Sequence, residues 1–278
     1  AERSLWWWDN PLFSPDGSLV AAVANGTADV RSATTGARIA SFPGRDIVLH
    51  LDSKLQKAAD TALGDYRGGI VALDPATGGV LAMVSKPGFD PNLFVNGISH
   101  KDYNRLSNDP ARPQFNRNVL GGGPPGSTVK PFIALAGLDS GLRTPSDRVM
   151  STGEFHIPGQ RRGYRDSHAG GHGWTDLRKS IAASVNTYYY KLALDMGIEA
   201  FADWMHRYGF GERTGIDLVG ESDGIVPSPD WKRENSREPW YTGETVIAGI
   251  GQGFWKATTL QLVRATAALA DQGELRRL

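Results

Sequence analysis

The chain has 278 residues, long enough for one large domain or two smaller ones. Its 30 Lys and Arg residues balance 30 Asp and Glu residues, so nothing argues for the clustered positive face that nucleic-acid binding needs. It has no cysteine, which excludes a disulfide framework, a thiolate nucleophile and a Cys-ligated metal. No apolar run reaches the roughly 18 residues of a membrane span. The first residues, AERSLWWWDNP, lack the basic start and apolar stretch of a signal peptide. The sequence as it stands is therefore read as carrying neither export signal nor anchor. Trp6, Trp7 and Trp8 are read as packing against the fold, with no function assigned.

Residues 13–42 alternate short apolar runs with turn signals at Pro15-Asp16-Gly17, Asn25-Gly26 and Thr35-Gly36. That pattern predicts consecutive hairpins, a β-meander over residues 1–44. The segment resembles a single WD-repeat blade, with Asn25 where that family usually has Asp and Arg31 where it usually has Trp. One blade cannot bury both its faces alone, so the segment is left without a function.

A seam near Gly44 opens a second region, residues 45–278. Residues 46–51 (DIVLHL) predict a strand, and residues 52–63 a helix from the spacing of Leu55, Ala58, Ala59 and Ala62. GGIVALD, a DPATGG turn and VLAMVS predict a hairpin over residues 68–85, apolar enough to be buried on both faces. Residues 90–123 are rich in Asn, Pro and Gly and read as a long loop. A helix is predicted over 128–138, irregular chain over 147–173, and helices over 175–183, 187–196, 199–208 and 258–270. Gly197 serves as a C-cap. Two apolar strands followed by helices and long loops indicate an α+β domain.

The strongest chemical signal is PPGSTVKPF, residues 124–132. Serine is a poor nucleophile until a base takes its proton. Ser127 and Lys130 stand three apart at the opening of a helix, which puts them one turn apart on one face. A helix N-terminus favours a developing oxyanion and a neutral lysine. By itself S-x-x-K also fits a capped helix with a solvated lysine. Ser184-Val185-Asn186 supplies an S-x-N element, which alone also fits a short capping turn.

The order of these two motifs, with GIVALDPATGGVLAMVSKPGFDPNLFVNGIS, the NRN segment at Asn116, GYRD, DMGI, GIDLVGE, PSPDWK and GETVIAGIGQG, resembles the transpeptidase domain of the penicillin-binding protein 2 family. The resemblance runs from about Asp46 to Leu278. It implies a penicillin-binding/β-lactamase-like fold, an antiparallel sheet with helices. It also implies a class B peptidoglycan D,D-transpeptidase of cell elongation, set in the bacterial inner membrane with its catalytic domain in the periplasm. Its implied partners are peptidoglycan stem peptides, β-lactams and a glycosyltransferase of the elongation machinery, with no cofactor. Carried onto this chain, Ser127 is the nucleophile and Lys130 its base. Ser184 relays protons toward the leaving amine, and Asn186 binds the substrate amide.

Two departures qualify the resemblance. The family's third motif, K-T-G, lies on a strand well beyond GIGQG, and this sequence ends at Leu278 without it. The implied fold is thus incomplete at its C-terminus, and activity is expected to be impaired by loss of one oxyanion donor. Some relatives hold a structural zinc with two Asp, one His and a Cys. Asp147, Asp166 and His172 stand at the matching positions, but Val185 stands at that of the Cys and cannot ligate, so no metal is expected. Two other functions stay open: a serine β-lactamase or β-lactam sensor, and a non-catalytic binding scaffold. No E-x-x-L-N stretch is present for the former, and Asn186 ending the second motif favours the transpeptidase.

Overall fold

The computed structural model describes the strands between residues 12 and 43, Thr35, and residues 48–94 and 97–278. The tryptophans at 6–8 and the turns at 15–17 and 25–26 lie outside the described residues. The chain divides into two units, one made of Ala1–His50 with Pro87–Gln114, the other of Leu51–Lys86 with Phe115–Leu278.

In the first unit, β1 (Leu12–Phe13), β2 (Leu19–Ala24), β3 (Thr27–Ser32) and β4 (Arg38–Pro43) form an antiparallel sheet in chain order. β2 and β3 pair from Leu19 opposite Ser32 to Ala24 opposite Thr27, the register of a tight hairpin. A four-stranded meander of this kind is common to a WD-repeat blade and to other folds. Residues 48–51, expected as strand, are not strand, and Val48 is 93% exposed. A strand needs a ladder partner, and none pairs with them among the described residues. The expected long loop from residue 90 contains helix α2 (His100–Ser107). Ser99 caps it by accepting from the Asp102 amide, and only Leu106 is buried, so the helix shows no apolar period.

The second unit opens with α1 (Ser53–Leu63), capped by Asp52, and the hairpin β5 (Gly68–Leu73) and β6 (Val80–Lys86). Only Ala82 and Val84 of the hairpin are fully buried, not both faces as expected. Among the described residues this sheet has two strands, too narrow to be covered on both sides. Residues 147–173, expected as irregular, hold two small ribbons. These are β7 (Val149–Ser151) with β10 (Gly173–Thr175), and β8 (Glu154–His156) with β9 (Gly163–Arg165). Three-residue strands are too short to show a period of two.

The core gathers around α3 (Lys130–Asp139), α5 (Asn186–Met196) and α6 (Ile198–Arg207). Phe132, Ile133, Tyr188, Tyr189, Leu192, Phe201, Met205 and Phe210 are almost wholly buried there. Gly137 lets α3 approach α5, since a Cβ at that position would sit 2.9 Å from the Leu192 methyls. Asp176 caps α4 (Leu177–Ala182), which begins two residues after the helix start expected at 175. Besides α2, two further helices went unpredicted: α7 (Pro229–Ser236) and α8 (Thr242–Ala248). Both are short, and α7 buries only Lys232, which pairs with Glu244 of α8 at 2.5 Å and so braces the two helices. A capping box built on Thr258 and Gln261 starts α9 (Thr259–Ala270), which packs on β5.

Candidate acyl-transfer site

Residues Gly126–Val129 form one turn of 3-10 helix that leads directly into α3. Ser127 is exposed at its opening, whereas Lys130, one turn on, is buried to 2% exposure. A distant loop fixes the turn, because the Gly126 amide donates to the Gly251 carbonyl at 2.9 Å. Gly251 has φ +69, and a Cβ there would fall 2.2 Å from the Gly126 oxygen. Only glycine permits that contact between the GIGQG segment and the serine's turn.

The structure brings the two sequence motifs together. Ser184 Oγ donates to Ser127 Oγ at 2.9 Å. Lys130 Nζ donates to Ser184 Oγ at 3.0 Å, to the Ser184 carbonyl at 2.7 Å and to Asn186 Oδ1 at 2.7 Å. The Ser184 hydroxyl therefore stands between the lysine and Ser127 in a continuous hydrogen-bonded chain. Burial strips water from the Lys130 ammonium and pulls its pKa from 10.5 down to about 8, partly opposed by the negative charge of Asp166. The Nζ also lies 5.3 Å from the centroid of the Tyr189 ring.

Ser184 holds a left-handed backbone with φ 52, uncommon outside glycine, asparagine and aspartate. This kink joins α4 to α5 and turns the hydroxyl toward Ser127. It is clamped on its C-terminal side, where Val185 is fully buried and its amide donates to the Ser180 carbonyl at 3.0 Å. Asn186 Nδ2 donates at 3.4 Å to the carbonyl of Arg165, at the end of β9. Beside β9 lies a cavity of about 630 Å³, bordered by Arg162, Tyr164, Trp240, Tyr241, Glu244 and Phe254.

The residues at the family's zinc positions do not fit a metal. Asp166 uses both carboxylate oxygens on donors of the chain itself. Asp147 accepts from the Thr144 amide at 2.7 Å in its own turn. His172 Nε2 is 3.0 Å from Ser167 Oγ. Val185 offers no donor atom. Among the described residues no three His, Cys, Asp or Glu side chains come together as a metal-binding group.

The family model for the penicillin-binding protein transpeptidase domain matches residues 68–278, well over half of the chain. The chain belongs to the penicillin-binding transpeptidase family. It is 45% identical over 230 residues to the peptidoglycan D,D-transpeptidase MrdA of Escherichia coli K12, a match covering 83% of this chain and 36% of that protein. It superimposes on the crystal structure of Pseudomonas aeruginosa PBP2 in complex with WCK 5153 with a TM-score of 0.83 and 48% identity, covering 88% of this chain and 56% of that one. Against PBP2 of Helicobacter pylori in complex with MreC, the TM-score is 0.80 at 33% identity, covering 90% of this chain and 48% of the other. The chain thus spans about a third of the length of the curated MrdA relative, and about half of these solved structures. The penicillin-binding transpeptidase fold expected from the motifs is the fold observed.

Proposed function

We propose that this chain carries the acyl-transfer site of a peptidoglycan D,D-transpeptidase, with Ser127 as nucleophile, Lys130 as base, Ser184 as proton relay and Asn186 as substrate-amide ligand. The observation that carries the reading is the chain Lys130–Ser184–Ser127, because it joins a buried amine of lowered pKa to an exposed hydroxyl. In the first step Ser127 Oγ attacks the carbonyl carbon of the penultimate D-alanine of a stem peptide. Its proton passes to Ser184, whose own proton passes to neutral Lys130. Collapse of the tetrahedral intermediate breaks the peptide bond, and the proton returns from Lys130 through Ser184 to the leaving D-alanine amine. An amine of a neighbouring stem then attacks the acyl-serine ester. It forms the cross-link and gives its proton back along the same chain, so Ser127 leaves as a hydroxyl.

The cavity beside β9 is the space we assign to the stem peptide away from the scissile bond. Aromatic faces on Tyr164, Trp240, Tyr241 and Phe254 would take its apolar part, and Arg162 a carboxylate. By analogy with the MreC complex of the H. pylori relative, a partner of that kind is expected to assemble with the whole enzyme, together with the glycosyltransferase that the family resemblance implies. The site then works on the periplasmic side of an inner membrane. No helix among the described residues is long and apolar enough to cross a membrane.

A fluorescent penicillin tests the reading. A stable adduct on Ser127, mapped by mass spectrometry and lost in Ser127→Ala, supports it. Fast turnover would indicate a β-lactamase and no adduct a binding scaffold. An adduct on Ser184 would overturn the assignment of the nucleophile.

A further inference from the structure

Helix α5 starts without a capping side chain of its own. Its N-cap is Val185, which has no acceptor, and the side chain of Asn186 is turned toward Lys130. The first backbone amides of a helix lack partners within it and must find them elsewhere. Here they find Asp166, which follows directly on β9. Its Oδ1 accepts from the Asn186 amide at 2.8 Å and from the Ser167 amide at 2.7 Å. Its Oδ2 accepts from the Thr187 amide at 3.0 Å and from Ser151 Oγ at 2.8 Å. The Asp166 side chain is wholly buried, and its own amide is fastened to the Gly153 carbonyl at 2.9 Å.

We propose that Asp166 is a positioning residue of the acyl-transfer site: its carboxylate fixes the first turn of α5 and thereby aims Asn186 and the Ser184 kink at Lys130 and Ser127. This rests on the catalytic reading given above. Three observations support it. The Ser184 backbone is left-handed in a non-glycine residue, so the turn needs an anchor on each side to keep its shape. On the C-terminal side the Val185 bond to the Ser180 carbonyl is joined by the pair of amides that Asp166 holds. A carboxylate also suits a helix N-terminus electrostatically. Burial alone would raise the pKa of Asp166, yet the bonds from Thr187, Ser151 and Asn186 hold it at about 2, so it stays ionised throughout the working range. The titratable groups that face it are His172, with Nε2 3.8 Å from Oδ1, and Tyr190 and Lys130, which feel its charge.

Asp166→Asn tests this, because the amide keeps the volume but replaces one acceptor oxygen by a donor and removes the charge. Two measurements are made on the parent and on the variant. The first is hydrogen exchange over the peptide spanning residues 184–188. The second is the acylation rate by a fluorescent penicillin as a function of pH. The expected result is loss of protection in that peptide with the rest of α5 still protected, an acylation rate at least ten-fold lower, and a pH midpoint moved to lower pH. The midpoint moves down because Asp166 no longer favours the charged lysine. Unchanged protection would overturn the proposal. So would a rate loss no greater than the unfolded fraction with an unmoved midpoint, since that is what a merely structural role gives. If the parent itself takes no label, the catalytic reading fails, while the exchange result still supports or overturns the fixing of the turn by Asp166. Ser151→Ala, which removes one donor but leaves the charge, is expected to lower the protection and the rate by less with the midpoint in place, and serves if Asp166→Asn does not fold.

Discussion

The pH dependence of acylation follows from the burial of Lys130. Only the neutral amine can take a proton, and the perturbation is simply the pH of the assay. With a pKa of about 8, the amine is neutral in roughly a tenth of molecules at pH 7 and in roughly nine-tenths at pH 9. The acylation rate is therefore expected to rise about ten-fold between pH 7 and 9 and then level off. A lysine at its ordinary value of 10.5 would give a rise of about a hundred-fold across the same interval with no plateau. Stability carries the same signature. The unfolded chain binds more protons than the folded one between about pH 8 and 10.5, so stability rises with pH through that window. The charged amine is held against a cost of roughly 3 kcal/mol below it. Stopped-flow labelling with a fluorescent penicillin from pH 6 to 10, with circular dichroism at each pH, measures the profile. Lys130→Arg, which keeps a charge that cannot be lost, should abolish labelling across the range. A hundred-fold rise without a plateau, or a flat profile on a folded protein, would refute the role of the buried amine.

Ser184→Ala deletes the hydroxyl between Lys130 and Ser127 and should slow acylation by about a hundred-fold or more. Ser184→Gly should slow it equally while melting no lower than Ser184→Ala, because glycine accepts φ 52 without strain; a rate near the parent's in either variant would show that the proton bypasses Ser184. Gly251→Ala drives a Cβ into the Gly126 backbone and should both lower the melting temperature by several degrees and suppress labelling of Ser127; an unaltered labelling rate would show that the clamp on the turn is dispensable. Protein purified without added metal should contain no stoichiometric zinc by elemental analysis, and one zinc per chain would point back to Asp147, Asp166 and His172.

What could be read from the sequence was whatever is local. Ser127 and Lys130 are one turn apart in any helical geometry, and Ser184 and Asn186 flank a break between two helical patterns, so both motifs were visible. Their meeting was implied by family order, but the geometry of the meeting was not. Nothing in S-V-N announces a left-handed serine, and nothing in S-x-x-K announces that the lysine reaches the nucleophile through Ser184. Asp166 drew attention only as a metal position. Its capping role depends on β9 ending beside the start of α5, a contact between residues 20 and 21 apart in the chain. The missed helices α2, α7 and α8 are short and expose most of their side chains, so hydrophobic period could not find them. Their cap residues could: Ser99 with Asp102, Ser228 before Pro229, and Glu244 reaching back to the Tyr241 amide. The opposite error, a strand carried through residues 48–51 and a doubly buried hairpin, came from taking apolar content as burial when neighbouring elements decide it.

The site is assembled from pieces that are far apart along the chain. Ser127 meets Ser184 across 57 residues, and the turn that carries Ser127 is tied to Gly251 near the end of the chain. Closing loops of that size comes late in folding, after the local helices have formed. On the proposed reading, an unfolded chain holds Ser127, Lys130, Ser184 and Asn186 but has no activated nucleophile, since its serine is an ordinary alcohol. On that reading, penicillin labelling would count native molecules rather than polypeptide. A refolding reaction quenched into the fluorescent reagent would read out, moment by moment, when the last long-range contact closes.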